Sequence, residues 1–179
     1  MMMKSLLGHV LAIGLSLFLL SCGHKEQPSD IIAPAPKPMK KKVTQKMDAY
    51  AQSSTIAWLG ASYVVKTSRQ PDTSLPLADD GNGNKYYDNT ITLQVLRPDD
   101  TQFFSHTYKK SDFSAYVDES FMKHGALTGI VFDRADGGNL YFVASVGSPD
   151  KMSDEYVPLT LCISRLGVVS ISKNSDLDG

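Results

Sequence analysis

Two alternating apolar runs, 127–133 and 140–146, flank the tetrapeptide Asp136-Gly137-Gly138-Asn139. Strand-length runs joined by a glycine pair close most readily into an antiparallel hairpin, because glycine reaches the positive-φ conformations of a tight turn without steric cost. The same rhythm recurs along the chain. Ile91, Leu93 and Val95 alternate with Thr92 and Gln94, the period of a half-buried strand. Arg97-Pro98-Asp99-Asp100 makes a turn, and 102–109 returns as the next strand. Residues 157–164 and 168–172 form a last pair turning near Leu166-Gly167, and 56–66 reads as one strand bent at Gly60. The acidic residues point the same way, with sixteen Asp against three Glu. Asp bonds nearby backbone and favours turns, whereas Glu favours helix interiors.

One helix is expected, over about 111–124. Ser111 suits the N-cap and Asp112 the first turn, where the helix dipole favours an anion. Phe113, Tyr116, Val117, Phe121 and Met122 make an apolar stripe, Gly125 ends it, and His124 sits where a cation is favoured. The adjacent aromatics Phe103-Phe104 and Tyr141-Phe142 put one ring on each face of their strands, so parts of the sheet should be covered on both sides. The expected fold class is α+β, mostly antiparallel β: a curled meander or sandwich of about six to eight strands with one amphipathic helix.

The amino-terminal segment has a different character. Lys4 precedes a largely apolar run that ends in Leu19-Leu20-Ser21-Cys22. A positive start, an apolar core too short to span a bilayer and a small residue before the cut mark a secretory signal. The four closing residues resemble the lipobox of bacterial lipoproteins, which implies diacylglycerol on the Cys22 thiol, a further acyl chain on its amine and stable membrane anchoring. Three regions follow: a lipoprotein signal peptide over 1–21, a lipid-anchored Pro/Lys-rich tether over 22–50, and one β-rich globular domain over 51–179. Ala33-Pro34-Ala35-Pro36 favours an extended spacer. Val43, Lys46, Met47 and Tyr50 have the spacing of a short helix bridging tether and domain. With Cys22 lipidated, Cys162 is the one thiol left and no intrachain disulfide can form. The strand alternation around it reads as a small half-buried residue rather than a nucleophile.

Residues 79–89 carry the one ligand-like pattern. Counted from Asp80, Asn82 and Asn84 fall third and fifth, the Tyr86 carbonyl seventh and Asp88 ninth, the oxygen-donor positions of an EF-hand loop, with Asp79 just ahead. Lys85 stands where the turn glycine belongs and Ile91 where the bidentate Glu belongs, so the match is partial. If the loop serves only an ion, replacing Asp80 and Asp88 by Ala should leave the fold intact. The bland alternative is a long Asn-Gly turn. His24, His106 and His124 lack partners at zinc-ligand spacing. Ser170-Ile171-Ser172-Lys173 fits a Ser-x-x-Lys pattern without its companion motifs, so no catalytic residues are expected and the chain reads as a non-enzyme. An acidic domain argues against nucleic acid.

Several phrases together resemble a family of uncharacterised Bacteroidetes lipoproteins: Arg69-Gln70-Pro71-Asp72, Tyr86-Tyr87-Asp88-Asn89, Ser145-Val146 and Ser153-Asp154-Glu155-Tyr156-Val157-Pro158. The resemblance implies a lipobox, a tether and one β-rich domain, in a cell-envelope setting. It carries over no catalytic residues. The expected protein is a lipid-anchored envelope module, at the outer membrane and facing the periplasm, that binds a peptide, glycan or envelope protein. The alternatives are a calcium-stabilised domain built on 79–89 and an envelope hydrolase assembled from distant residues.

Overall fold

The computed structural model describes residues 42–173, so the export segment, Cys22 and the tether through residue 41 lie outside the described residues. Within that span the fold is mostly antiparallel β, with ten strands in three sheets and one short α-helix. The first sheet has the order β1-β2-β5-β6, from β1 (Tyr50–Trp58), β2 (Ala61–Pro71), β5 (Asn89–Leu96) and β6 (Gln102–Tyr108). Between β2 and β5 the chain makes a two-stranded ribbon, β3 (Ala78–Asp79) and β4 (Lys85–Tyr86). The second sheet is a meander in the order β10-β9-β8-β7, from β7 (Ala126–Asp136), β8 (Asn139–Gly147), β9 (Tyr156–Ser164) and β10 (Val169–Lys173).

The two sheets enclose one core. Ile91, Leu93 and Val95 of β5 face Leu127 and Ile130 of β7, with Leu140, Phe142, Leu159, Leu161 and Ile163 behind them, and all are fully buried. Strand β7 runs across the first sheet rather than along it. The Leu127 carbonyl accepts from Asn89 of β5 at 2.9 Å, the Thr128 carbonyl accepts from Arg69 of β2, and Val131 and Phe132 share a groove with Gln52 and Ser54 of β1.

Three expectations from the sequence are corrected. The run 56–66 is not one bent strand but the β1–β2 hairpin. Leu59 (φ 50°) and Gly60 (φ 76°) are both left-handed, the signature of a two-residue type I′ turn. The helix over 111–124 divides into a 3-10 turn (Lys110–Phe113) and α1 (Glu119–His124). Asp118 starts α1 afresh by accepting from the Phe121 N–H at 3.0 Å, while Phe113 and Val117 turn into the core ahead of it. Residues 42–49 make no helix. They run extended: Gln45 forms a parallel bridge to Tyr86, and Met47 packs on Ala78, Tyr86 and Ala126. Tyr141 and Phe142 do face opposite ways. Phe142 is in the core, and the Arg134 guanidinium lies 4.3 Å from the Tyr141 ring centre on the other side.

Candidate functional site

The residues of the 79–89 segment are dispersed to four tasks. Asp80 closes the ribbon turn: its Oδ1 accepts from the Asn82 N–H at 2.8 Å and the Asn84 N–H at 3.1 Å, and its Oδ2 accepts from the Asn84 side chain. These bonds hold its carboxyl below the usual carboxylate range, the Asn84 side chain acting most strongly. Tyr86 is buried against Ala78 and Ala126, and burial pushes its hydroxyl up. Asp88 points inward. Its Oδ1 accepts from the Asn89 and Leu127 N–H groups at 2.7 and 2.9 Å, and its Oδ2 lies 3.4 Å from the Lys110 ammonium, which donates at 2.5 Å to the Gly125 carbonyl. Asp88 thus ties β5 and β7 to the 3-10 turn, contacts that its removal would break. Among the described residues, no three His, Cys, Asp or Glu side chains group at metal-holding distance.

Asp79 does something the sequence did not announce. Its Oδ2 lies 2.8 Å from His124 Nδ1 and accepts from Lys85 at 3.0 Å, and the Gly81 N–H donates to its Oδ1 at 3.1 Å. The His124 hydrogen bond, with smaller help from Lys85 and Gly81, holds the Asp79 carboxyl far below its ordinary range. Helix α1 presents His124 because Asp118 caps it and Gly125 ends it, the Gly125 N–H donating to the Phe121 carbonyl at 2.8 Å. The dipole account of His124 places it correctly but misses its partner, forty-five positions earlier in the chain. Only an alignment of β3 beside α1 could have revealed that pair.

The Asp79–His124 pair borders an open cleft of about 380 Å³ where the β3–β4 ribbon, α1 and the β8–β9 connection meet. Asp80, Ser120, Phe121, Ser148 and Glu155 complete most of its wall. Ser120 and His124 are four residues apart on α1 and share a face. The Ser148 N–H donates to the Glu155 carbonyl at 2.9 Å, which pins the two ends of the β8–β9 connection together. Gly147 makes that closure possible, since a Cβ there would stand 2.4 Å from the Glu155 carbonyl oxygen and 2.5 Å from Tyr156. The wall offers three carboxylates, an imidazole fixed through Nδ1 and two hydroxyls around one phenyl ring, a surface that can hydrogen-bond a polar ligand in several directions.

Other candidates lie elsewhere. Cys162 is a half-buried thiol on β9, between Tyr141 and Ser170 in register. His106 sits on β6 with its ring 4.5 Å from that of Tyr108. Ser170 and Lys173 are exposed on β10, a strand rather than the helix start that the Ser-x-x-Lys pattern requires. Among the described residues no helix is long and apolar enough to cross a membrane.

Comparison with known proteins adds one finding. A family model described as a domain of unknown function, DUF4738, matches residues 32–171, from within the Pro- and Lys-rich segment into β10. No curated protein matches the chain.

Proposed function

We propose that this chain, which belongs to the DUF4738 family of domains of unknown function, is a lipid-anchored binding module of the bacterial cell envelope. The lipobox ending in Cys22 supports the anchor, and the resemblance to Bacteroidetes lipoproteins supports the setting, an outer membrane with the domain facing the periplasm. The observation that carries the binding role is the cleft between the ribbon, α1 and the β8–β9 connection. Its carboxylates, Asp79, Asp80 and Glu155, repel anions and favour neutral or cationic groups, such as glycan hydroxyls and peptide amines. Phe121 adds a flat apolar surface on which a sugar ring or peptide side chain can rest.

The test is a melting assay on the full chain in detergent, titrated with neutral oligosaccharides, amine-bearing peptides and their acetylated counterparts. A ligand at 100 times its Kd stabilises by about 2.7 kcal/mol, an easily read rise in Tm. Glu155→Gln should weaken the amine-bearing peptides and spare the neutral sugars. The reading fails if no ligand of either class moves the Tm.

A second reading, an envelope hydrolase, has one observation in its favour: Ser120 and Ser148 line the same cleft as the Asp79-oriented His124. Labelling by a fluorophosphonate probe that is lost in Ser120→Ala or Ser148→Ala would establish it. Unlabelled wild-type protein would remove it.

A further inference from the structure

Strands β1, β6, β7 and β10 are the outer edges of the two sheets. Three of them are guarded in the ways that discourage further pairing. The register of β6 on β5 is broken at Val95/Leu96; β7 carries two register shifts with Asp133 and Arg134; β10 has only five residues and ends in Lys173. Strand β1 has no such guard. Its nine residues, Tyr-Ala-Gln-Ser-Ser-Thr-Ile-Ala-Trp, include no charge and no proline, and its register on β2 runs unbroken from Tyr50↔Arg69 to Trp58↔Ala61.

The hairpin geometry fixes which groups face outward. A two-residue type I′ turn makes Trp58↔Ala61 a hydrogen-bonded pair, so alternate residues back to Tyr50 spend their backbone bonds on β2. Ala51, Ser53, Thr55 and Ala57 therefore turn their N–H and C=O groups to the open side, where no strand is paired among the described residues.

We infer that this edge pairs with β1 of a second copy, antiparallel about a two-fold axis at Ser54. Self-pairing in that register sets Ser53 opposite Thr55, Ala51 opposite Ala57, Gln52 opposite Ile56 and Tyr50 opposite Trp58. Small faces small, hydroxyl faces hydroxyl and aromatic faces aromatic, with no like charges opposed. Phe132 supports the choice: it is half-buried at the rim of the core and lines the same groove as Ser54, so the incoming strand would run beside its ring. The outward face of the first sheet joins smoothly, because its cross-strand partners there are Ser68, Thr92 and Thr107, with Thr92 and Thr107 sharing a 2.9 Å hydroxyl contact. A single strand edge buries less than the roughly 1,600 Å² of a standard interface, so the dimer is weak in dilute solution and forms where the chain is concentrated.

Cysteine scanning tests the register. The full chain, with Cys22→Ser and Cys162→Ser to silence its own thiols, is given Ala51→Cys, Ser54→Cys or Ala57→Cys and oxidised with diamide in mild detergent. The two-fold axis brings the Ser54 positions within disulfide reach and leaves position 51, like 57, about 20 Å from its own copy. Ser54→Cys should dimerise rapidly alone, Ala51→Cys and Ala57→Cys slowly alone but rapidly when mixed. Ser53→Pro, which deletes only an outward N–H, should abolish crosslinking at 54 with an unchanged Tm. If that variant does not fold, the three-position pattern still decides. Equal rates at all three positions, or a Ser54→Cys chain that crosslinks in cells only to a different protein, overturns the inference.

Discussion

Substituting the Asp88–Lys110 pair should be the most revealing perturbation of the fold. Both side chains are buried, with 3 % of the Asp88 side chain and 9 % of the Lys110 side chain exposed. Removing one partner of such a pair strands the other charge in the interior, at about 3–5 kcal/mol. Asp88→Ala also orphans the Leu127 N–H, worth a further 1–3 kcal/mol or so. The sum, roughly 4–8 kcal/mol, approaches the whole stability of a small domain. Asp88→Asn is the sharper variant, since it keeps an oxygen for the Leu127 N–H and loses only the charge. It should cost about 3 kcal/mol, and Lys110→Met should cost a similar amount by stranding the carboxylate. The double variant Asp88→Asn with Lys110→Met buries no unpaired charge and should return to within about 1.5 kcal/mol of wild type. Urea unfolding followed by circular dichroism at neutral pH measures all three. Additive losses in the double variant, or single losses under about 1 kcal/mol, would refute the claim that this pair joins the sheets to the 3-10 turn.

Four further outcomes are expected. Phe142→Ala should cost about 3–5 kcal/mol in urea unfolding, because it empties a fully buried site against Phe132, whose ring lies 5.6 Å away edge-on. Gly147→Ala should lower stability by about 1–3 kcal/mol, since its Cβ meets backbone that cannot swing aside, and a neutral melting curve would contradict the close approach. Asp79 has a folded-state pKa below its ordinary 3.8, so the stability it contributes is present above that value and fades as the pH falls beneath it. Asp79→Asn should therefore be less stable than wild type at pH 6, with the gap closing towards pH 2; a gap that widens on acidification would reverse the assignment. Chelating calcium should leave the Tm of the purified chain unchanged, because Asp88 already serves Lys110 and two N–H groups.

The sequence made legible what depends on neighbours a few residues apart. The Asp136–Asn139 turn closes β7 on β8, with Asp136 paired to Asn139 and Gly137 at φ 54°, because glycine pairs declare positive φ locally. The alternation of Ile91, Leu93 and Val95 became a fully buried strand face for the same reason. The β1–β2 turn is hidden in the sequence because Leu59 occupies a left-handed position where Asn or Asp is usual, which leaves Gly60 to look like a bend. The break in the helix leaves no sequence trace, since the stripe from Phe113 to Met122 obeys helical spacing although two separate turns supply it. The candidate loop fared worst. Asp79, Asp80 and Asp88 look equivalent in sequence, yet their roles were decided by His124, Asn84 and Lys110, and two of those three partners come from elements folded in from afar. Long-range pairing of this kind leaves no periodic trace.

The extended strap at 42–49 defines a mechanical route into the domain. Gln45 exchanges backbone bonds with Lys85 and Tyr87 at 2.7 and 3.0 Å, Arg69 donates to the Asp48 carbonyl at 2.8 Å, and Lys151 reaches the Asp48 carboxylate at 2.5 Å. A pull on the chain from its amino-terminal side loads these contacts first, before the β1–β2 register bears any force. If these few contacts parted, the extended segment would lengthen by several residues without breaking a β1–β2 pair. The same parting would release the backbone bonds from Gln45 to the β3–β4 ribbon that carries Asp79, so the segment entering the domain and one wall of the cleft share a support.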